Sequence, residues 1–107
     1  METVLIADDE VNIREGLKII DWNELGFEIC GEAANGEEAL SAILEKNPSL
    51  VLLDIRMPKM YGTDLIRIAR ERGYKGRFII LSGYSDFTYA QTAIRYGVDF
   101  YITKPID

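Results

Sequence analysis

The sequence contains no histidine and only one cysteine, Cys30, among its 107 residues. Zinc sites and histidine-based catalysis within the chain are therefore excluded, because both depend on side chains that the sequence lacks. A single cysteine forms no internal disulfide, and an apolar free cysteine is most often a small core residue.

Basic residues and long apolar runs are also scarce. Lys and Arg total 12 against 18 Asp and Glu, which gives a formal net charge of -6. DNA binding requires Lys and Arg to replace the counterions around phosphates, so the balance argues against a nucleic-acid surface. No apolar run approaches the roughly 18 residues that span a bilayer, and the chain start lacks a basic signal-peptide region. We expect a cytoplasmic domain that binds neither nucleic acid nor membrane.

The length and composition are those of one small globular domain, which we assign to residues 1–107. Hydrophobic residues make up 48% of the chain and charged residues 28%, and no polar low-complexity tract argues for disorder.

Five apolar runs predict five strands. Three are strongly apolar and short, as in buried strands of a parallel sheet, and two alternate more, as at sheet edges. The buried runs are Val4 to Ala7, Leu50 to Leu53 and Phe78 to Leu81, and the edge runs are Phe27 to Cys30 and Asp99 to Ile102.

Between these runs the apolar spacing changes to that of a helix, which predicts four amphipathic helices. Their apolar stripes are Ile13, Leu17 and Ile20; Ala39, Leu40, Ile43 and Leu44, behind Asn35 as N-cap; Leu65, Ile68 and Ala69, after Gly62; and Phe87, Ala90, Ala93 and Ile94.

Alternating strands and helices predict an α/β fold, a flavodoxin-like three-layer sandwich around a five-stranded parallel sheet of order 2-1-3-4-5. The chain stops at Asp107 directly after the fifth strand, so we expect the final helix to be missing. Trp22, in the long segment from Asp21 to Gly26, is expected to cap the core from the side, and contact with a partner is the alternative.

Polar residues with useful chemistry follow the strands. Asp8 and Asp9 come after the first strand, Asp54 after the third, Ser82 after the fourth and Lys104 after the fifth. Because the carboxyl ends of parallel strands meet at one edge, these residues are expected to lie together.

Three gathered carboxylates repel one another unless a hard divalent cation lies among them, and Mg²⁺ fits this oxygen chemistry best. The alternative is that Asp8 and Asp9 cap the following helix, but that explains neither Asp54 nor Lys104.

Asp54 is the most informative of these residues. A carboxylate that ends a buried strand needs its charge compensated, which a cation and Lys104 would do. The same surroundings suit a carboxylate nucleophile that attacks phosphorus, with Ser82 as hydroxyl donor and Gly83 leaving space beside it.

These motifs resemble the signature of the receiver domain of bacterial two-component response regulators. The matching pieces are Asp8-Asp9, Asp54 within Leu-Asp-Ile-Arg-Met-Pro, Ser82-Gly83 and Lys104-Pro105. The stretch from Ser82 to Phe87 and the Asp21-Trp22 segment further resemble receivers joined to AraC-type DNA-binding output domains.

The resemblance implies roles for single residues. Asp54 would accept a phosphoryl group from a sensor histidine kinase, while Lys104 and Ser82 contact the phosphoryl oxygens. Mg²⁺ would be held by Asp9, Asp54 and the backbone carbonyl of Arg56, with Asp8 acting through water. In the family, an aromatic residue on the fifth strand turns inward when the hydroxyl residue turns towards the phosphoryl group. Tyr101 stands at the position of that aromatic residue, and Ser82 at that of the hydroxyl residue.

We therefore hypothesise that Ser82 and Tyr101 couple the phosphorylated site to a tyrosine-rich face. This face is formed by Tyr84, Tyr89, Tyr96 and Tyr101. That face is a possible homodimer surface. Bulky Arg56 and Tyr84 would hinder water and slow self-hydrolysis.

The competing interpretations are a phosphohydrolase of the haloacid dehalogenase type, which usually has an Asp where Arg56 stands, and a degenerate receiver that binds partners without phosphorylation.

Overall fold

The computed structural model describes residues 1–54, 57–60, 62–82 and 100–103, with only the backbone of residue 82 and of residues 100–103. The elements in chain order are β1 (Glu2–Ala7), α1 (Val11–Lys18), β2 (Phe27–Ala33), α2 (Gly36–Lys46), β3 (Leu50–Asp54), α3 (Gly62–Glu71), β4 (Arg77–Ser82) and β5 (Phe100–Thr103). Among these residues no helix has the length and apolar character needed to cross a membrane.

The five strands form one parallel sheet of order β2-β1-β3-β4-β5, which confirms the predicted topology. All five residues of β3 are buried, because apolar groups cover both faces of this central strand. On β1, Leu5 and Ala7 face the core shared with α2 and α3, whereas Val4 and Ile6 pack with Leu17 of α1. The fold is therefore a three-layer sandwich.

The edge strand β2 carries an irregularity opposite the step from Val4 to Leu5, where its register shifts by one residue. Val4 pairs with Ile29 and Leu5 with Gly31, so Cys30 is the extra residue of a β-bulge. The Lys46 ammonium donates a hydrogen bond of 2.8 Å to the Cys30 carbonyl oxygen. Cys30 itself is half-buried against the core, in line with its predicted packing role.

Helix α1 is shorter than the apolar stripe predicted. Leu17 is buried, but the helix ends at Lys18, and Ile20 lies beyond it with 41% of its surface exposed. The expected core position of Ile20 was therefore wrong, because periodicity does not show where a helix stops. Trp22 packs against the core instead, donates from its indole N–H to the Leu17 carbonyl at 2.9 Å and contacts Phe27 edge-on.

Asn35 is the N-cap of helix α2, as predicted, and its side chain accepts a 2.9 Å hydrogen bond from the Glu38 N–H. The Glu38 carboxylate reaches back to the Ala34 N–H at 3.2 Å, so two donors at the helix start are satisfied reciprocally. Ile43 is buried, but Leu44 is 40% exposed, which corrects its expected core position. Leu44 lies at the solvent edge of the stripe.

Helix α3 buries Leu65 and Ala69 as predicted, together with Ile66, which the sequence interpretation left out. Ile68 is only half-buried. The buried stripe therefore includes Ile66 in place of Ile68. The fourth predicted helix and the expected absence of a final helix both concern residues outside the described part of the chain.

Tyr74 joins the segment after α3 to the segment before β3 through a buried hydrogen bond. Its phenol O–H donates to the Pro48 carbonyl oxygen at 2.6 Å, and its ring meets Phe78 edge-on with 5.5 Å between centroids. Arg70 lies over both rings and donates to the Tyr74 carbonyl. Burial disfavours the charged phenolate and raises the pKa of Tyr74 to about 12.

We predict that Tyr74 makes the fold sensitive to alkaline pH. The folded state holds the phenol proton more tightly than the unfolded chain, so this contribution to stability is full below about pH 10 and is lost towards about pH 12. Tyr74→Phe should lower the free energy of unfolding at neutral pH by about 1–3 kcal/mol, because the buried Pro48 carbonyl loses its donor.

Urea unfolding of both proteins across the alkaline range tests this. The variant should lose less stability than the wild type between about pH 10 and pH 12. Equal losses in both proteins would mean that Tyr74 does not titrate with folding.

Candidate functional site

The carboxyl ends of β1 and β3 place two carboxylates in the interior. Asp8 follows the last residue of β1 and is fully buried, and Asp54 ends β3 with 4% of its surface exposed. The two strands pair directly, with Ala7 opposite Leu53. Among the described residues, these are the buried side chains that bear a carboxyl group.

The loop between β1 and α1 is held by its own backbone and by the Asp8 side chain. The Asp8 N–H donates to the Ala33 carbonyl at 3.0 Å, and Asp8 Oδ1 accepts a 2.9 Å hydrogen bond from the Glu10 N–H. The N-cap of α1 is Glu10, without a side-chain cap bond. Asp8 therefore forms a turn before the helix, and neither Asp8 nor Asp9 is the N-cap that the alternative interpretation required.

Three consecutive carboxylates converge in this loop. Oxygen atoms of Asp8, Asp9 and Glu10 lie within 4.8 Å of one another, and Asp9 and Glu10 are exposed. Such a donor set fits Mg²⁺, which takes oxygen ligands, keeps several waters and uses few protein carboxylates. Glu10 was not among the predicted ligands, although its place beside Asp9 was visible in the sequence.

The other predicted site residues are described only in part. The backbone of Ser82 ends β4, and Tyr101 lies on the adjacent β5, where it pairs with Ile80 while Ser82 pairs with Thr103. Ser82 and Tyr101 thus occupy neighbouring strands. Arg56, Lys104 and the tyrosines between residues 83 and 99 lie outside the described residues, so their roles stay predictions.

Arg14 of α1 reaches back to the acidic loop. Its Nη1 donates to the Asp8 carbonyl oxygen at 2.7 Å, and its Nε donates to Glu32 at 3.1 Å. Lys18 binds the other oxygen of Glu32 at 3.0 Å, and these cations, Lys18 first, hold the pKa of Glu32 below its ordinary value. The sequence analysis missed Arg14, because nothing in a sequence shows which of many acceptors a helical arginine finds.

The start of α2 contacts the loop that follows β3. The Gly36 N–H donates to the Pro58 carbonyl at 3.2 Å, and Met57 of the same loop is buried in the core. A Cβ atom at Gly36 would lie only 2.5 Å from the Met60 carbonyl oxygen, so this approach requires glycine. The contact positions residues 57–60, just downstream of Asp54, and no local sequence signal predicted it.

Comparisons with known proteins agree on one family. A family model described as the response regulator receiver domain matches residues 4–107. The chain is 42% identical over 106 residues to the uncharacterized transcriptional regulatory protein YesN of Bacillus subtilis, covering 98% of this chain and 29% of YesN. It is 44% identical over 108 residues to the transcriptional regulatory protein HptR of Staphylococcus aureus, covering 100% of this chain and 42% of HptR.

The chain therefore spans less than half the length of these two relatives. Among solved structures, it is similar to the REC domain of AraT, a response regulator from Geobacillus stearothermophilus, with a TM-score of 0.92 and 47% identity. That match covers 99% of this chain and 83% of the AraT chain.

We predict that Gly36→Ala destabilises the fold through the loop after β3. The new methyl group meets Met60 backbone atoms that cannot move cheaply, so the free energy of unfolding should fall by about 1–3 kcal/mol.

Gly16→Ala is the matched control, because a Cβ atom there meets nothing within 4 Å. It should stabilise α1 by about 0.5–1 kcal/mol, as expected for replacing a helical glycine. Denaturant unfolding measures both changes, and a neutral Gly36→Ala variant would show that the contact with Met60 is easily relaxed.

Proposed function

Because this chain belongs to the response regulator receiver domain family, we propose that Asp54 accepts a phosphoryl group from a sensor histidine kinase in a Mg²⁺-dependent reaction. The observation that carries the proposal is the burial of Asp54 at the carboxyl end of β3, on the strand next to the one that leads into Asp8. The domain serves transcription regulation, as its relatives do.

The cost of burying Asp54 supports a functional role. All other residues of β3 are apolar, and a carboxylate in that environment is expensive unless charge or hydrogen bonds compensate it. An apolar residue there would serve the core better. A carboxylate held at the rim of a rigid strand is suited to act as a nucleophile with a defined direction of approach.

In the proposed reaction an Asp54 oxygen attacks the phosphorus atom of the kinase phosphohistidine. The new O–P bond forms as the P–N bond breaks, and the imidazole leaves with the bonding electron pair. The kinase must supply the histidine, since this chain has none. Lys104 would neutralise charge on the phosphoryl oxygens, and Ser82 would donate a hydrogen bond to them.

Receiver domains bind Mg²⁺ generally, and the acidic loop offers suitable oxygen donors. Asp9, Asp54 and the backbone carbonyl of Arg56 would hold the ion, with Asp8 acting through water. The bound cation supplies positive charge that offsets repulsion between Asp54 and the incoming phosphoryl group. The chain's own contribution is to fix the carboxylates in place before the phosphoryl group arrives.

We further propose that Ser82 and Tyr101 couple the phosphorylated site to the rest of the protein. They lie on the paired strands β4 and β5, so a phosphoryl group that contacts Ser82 would bias elements that are joined by one ladder. The full-length protein would then carry the signal to a DNA-binding output domain, of the AraC type by resemblance, in the cytoplasm. The greater length of the relatives is consistent with such a domain.

Phosphorylation of Asp54 is tested by intact mass after incubation with Mg²⁺ and a small acyl phosphate. We expect one added phosphoryl group that is labile to base and disappears in Asp54→Asn or in chelator. Asp64→Asn is the matched control, because Asp64 is exposed on α3 and should leave the adduct unchanged.

An adduct that persists in Asp54→Asn would refute the assignment of the phosphoacceptor. A folded wild-type protein with neither adduct nor phosphate release would indicate a degenerate receiver, and rapid phosphate release without an adduct would indicate a hydrolase.

The coupling is tested in the full-length protein with Tyr101→Ala. We expect phosphorylation to proceed normally while phosphorylation-dependent dimerisation or DNA binding falls. The reason is that the variant lacks the aromatic ring that is proposed to move together with Ser82. Tyr101→Phe keeps the ring and should retain most of the response. An unchanged response in Tyr101→Ala would contradict the coupling.

A further inference from the structure

We propose that Arg14 is a positioning residue for the Mg²⁺ site, acting through the backbone of Asp8. The inference rests on the proposed function, since it assumes that the acidic loop binds the ion. Its basis is the 2.7 Å hydrogen bond from Arg14 Nη1 to the Asp8 carbonyl oxygen. Nothing in the sequence pattern or in the chemistry of phosphoryl transfer requires an arginine at this place.

The contact acts on the peptide unit that joins the two aspartates. The carbonyl of Asp8 and the N–H of Asp9 belong to one planar group, so holding the carbonyl oxygen fixes the plane from which Asp9 departs. Asp9 is exposed and its side chain is short, so the direction of its Cα–Cβ bond limits the positions that its carboxylate can reach. Arg14 therefore limits the positions that the Asp9 ligand can adopt.

Arg14 is itself well anchored. Only 17% of its side chain is exposed, and its Nε donates to Glu32 at 3.1 Å. Glu32 also binds Lys18 and lies in β2, opposite Ile6 of β1. The planar guanidinium reaches both acceptors at once, whereas a lysine ammonium has no such fixed fork.

Both sides of Asp8 are thereby tied to consecutive residues of β2. Its N–H donates directly to the Ala33 carbonyl at 3.0 Å, and its carbonyl is held through Arg14 to the adjacent Glu32. The backbone of the acidic loop is thus positioned by an edge strand that contributes no carboxylate to the predicted metal site. Preorganised ligands bind a metal more tightly because less freedom is lost on binding.

The charge of Arg14 and its hydrogen bond to Asp8 have opposite effects on Mg²⁺ affinity, which makes the proposal testable. Removing the positive charge of Arg14 should by itself strengthen Mg²⁺ binding, since like charges repel. Removing the anchor should weaken it. We expect the second effect to dominate, because the hydrogen bond acts directly on the backbone of a ligand.

The experiment is calorimetric titration of the unphosphorylated protein with Mg²⁺, using wild type, Arg14→Gln, Arg14→Lys and Lys18→Gln. We expect Arg14→Gln to weaken binding about 10-fold, the low end for loss of a group that supports a metal ligand. Arg14→Lys keeps the charge but not the fork, so it should also bind more weakly than wild type. Lys18→Gln removes one positive charge that contacts Glu32 and leaves the hydrogen bond to Asp8 in place. The Mg²⁺ affinity of this variant should match or slightly exceed that of wild type.

The free energy of unfolding in chelator is measured in parallel. A loss of stability with an unchanged Mg²⁺ dissociation constant would reduce Arg14 to a structural role and overturn the proposal. Tighter binding in both Arg14→Gln and Lys18→Gln would overturn it too, because only charge would then matter. Absence of Mg²⁺ binding by the wild type would overturn the proposed function along with this inference, so the two failures are distinguishable.

Discussion

The energetic constraint behind this structure is the burial of like charges at one edge of a sheet. Asp8 and Asp54 lie in the interior on neighbouring strands, where carboxylates are costly and repel one another. The stability needed to tolerate them comes from the rest of the sheet, where β1 and β3 are covered on both faces by apolar side chains. The apolar sheet thus supplies the stability that lets two carboxylates lie at its interior edge.

Several hydrogen bonds around that edge fix the backbone of its loops. The Asp8 side chain holds the turn before α1, Arg14 holds the Asp8 carbonyl, and Gly36 holds the Pro58 carbonyl of the loop after β3. Arg14 links the Asp8 loop to Glu32 of β2, and Gly36 links the loop after β3 to α2. The loops that carry the chemistry are thus positioned by neighbours with no chemical role.

Much of the architecture was predictable, because it depends on local patterns. Short apolar runs identified the strands. Right-handed connections left few possible strand orders, and the flavodoxin-like order chosen among them is the one observed. Asn35 was recognisable as a cap, since an amide before an apolar stripe is a local signal. Asp8 and Asp54 were recognisable because carboxylates are unusual directly after buried strands.

The errors and omissions have physical reasons. Ile20 and Leu44 have the spacing of core residues, but burial depends on where a helix ends and how it is tilted against the sheet. The contacts of Arg14 with Asp8 and of Gly36 with Met60 depend on the packing of separate elements. A sequence shows that an arginine is available but not which carbonyl it will meet.

The bulge in β2 has a consequence for how the domain behaves among its own copies. An edge strand exposes backbone groups that a second strand can pair with, which is a route to aggregation. Here the extra residue breaks the regular ladder, and the carbonyl of Cys30 already accepts the Lys46 ammonium. An incoming strand would have to displace a charged group and match an interrupted spacing. The same edge strand that anchors the acidic loop is thereby made a poor template for strand addition.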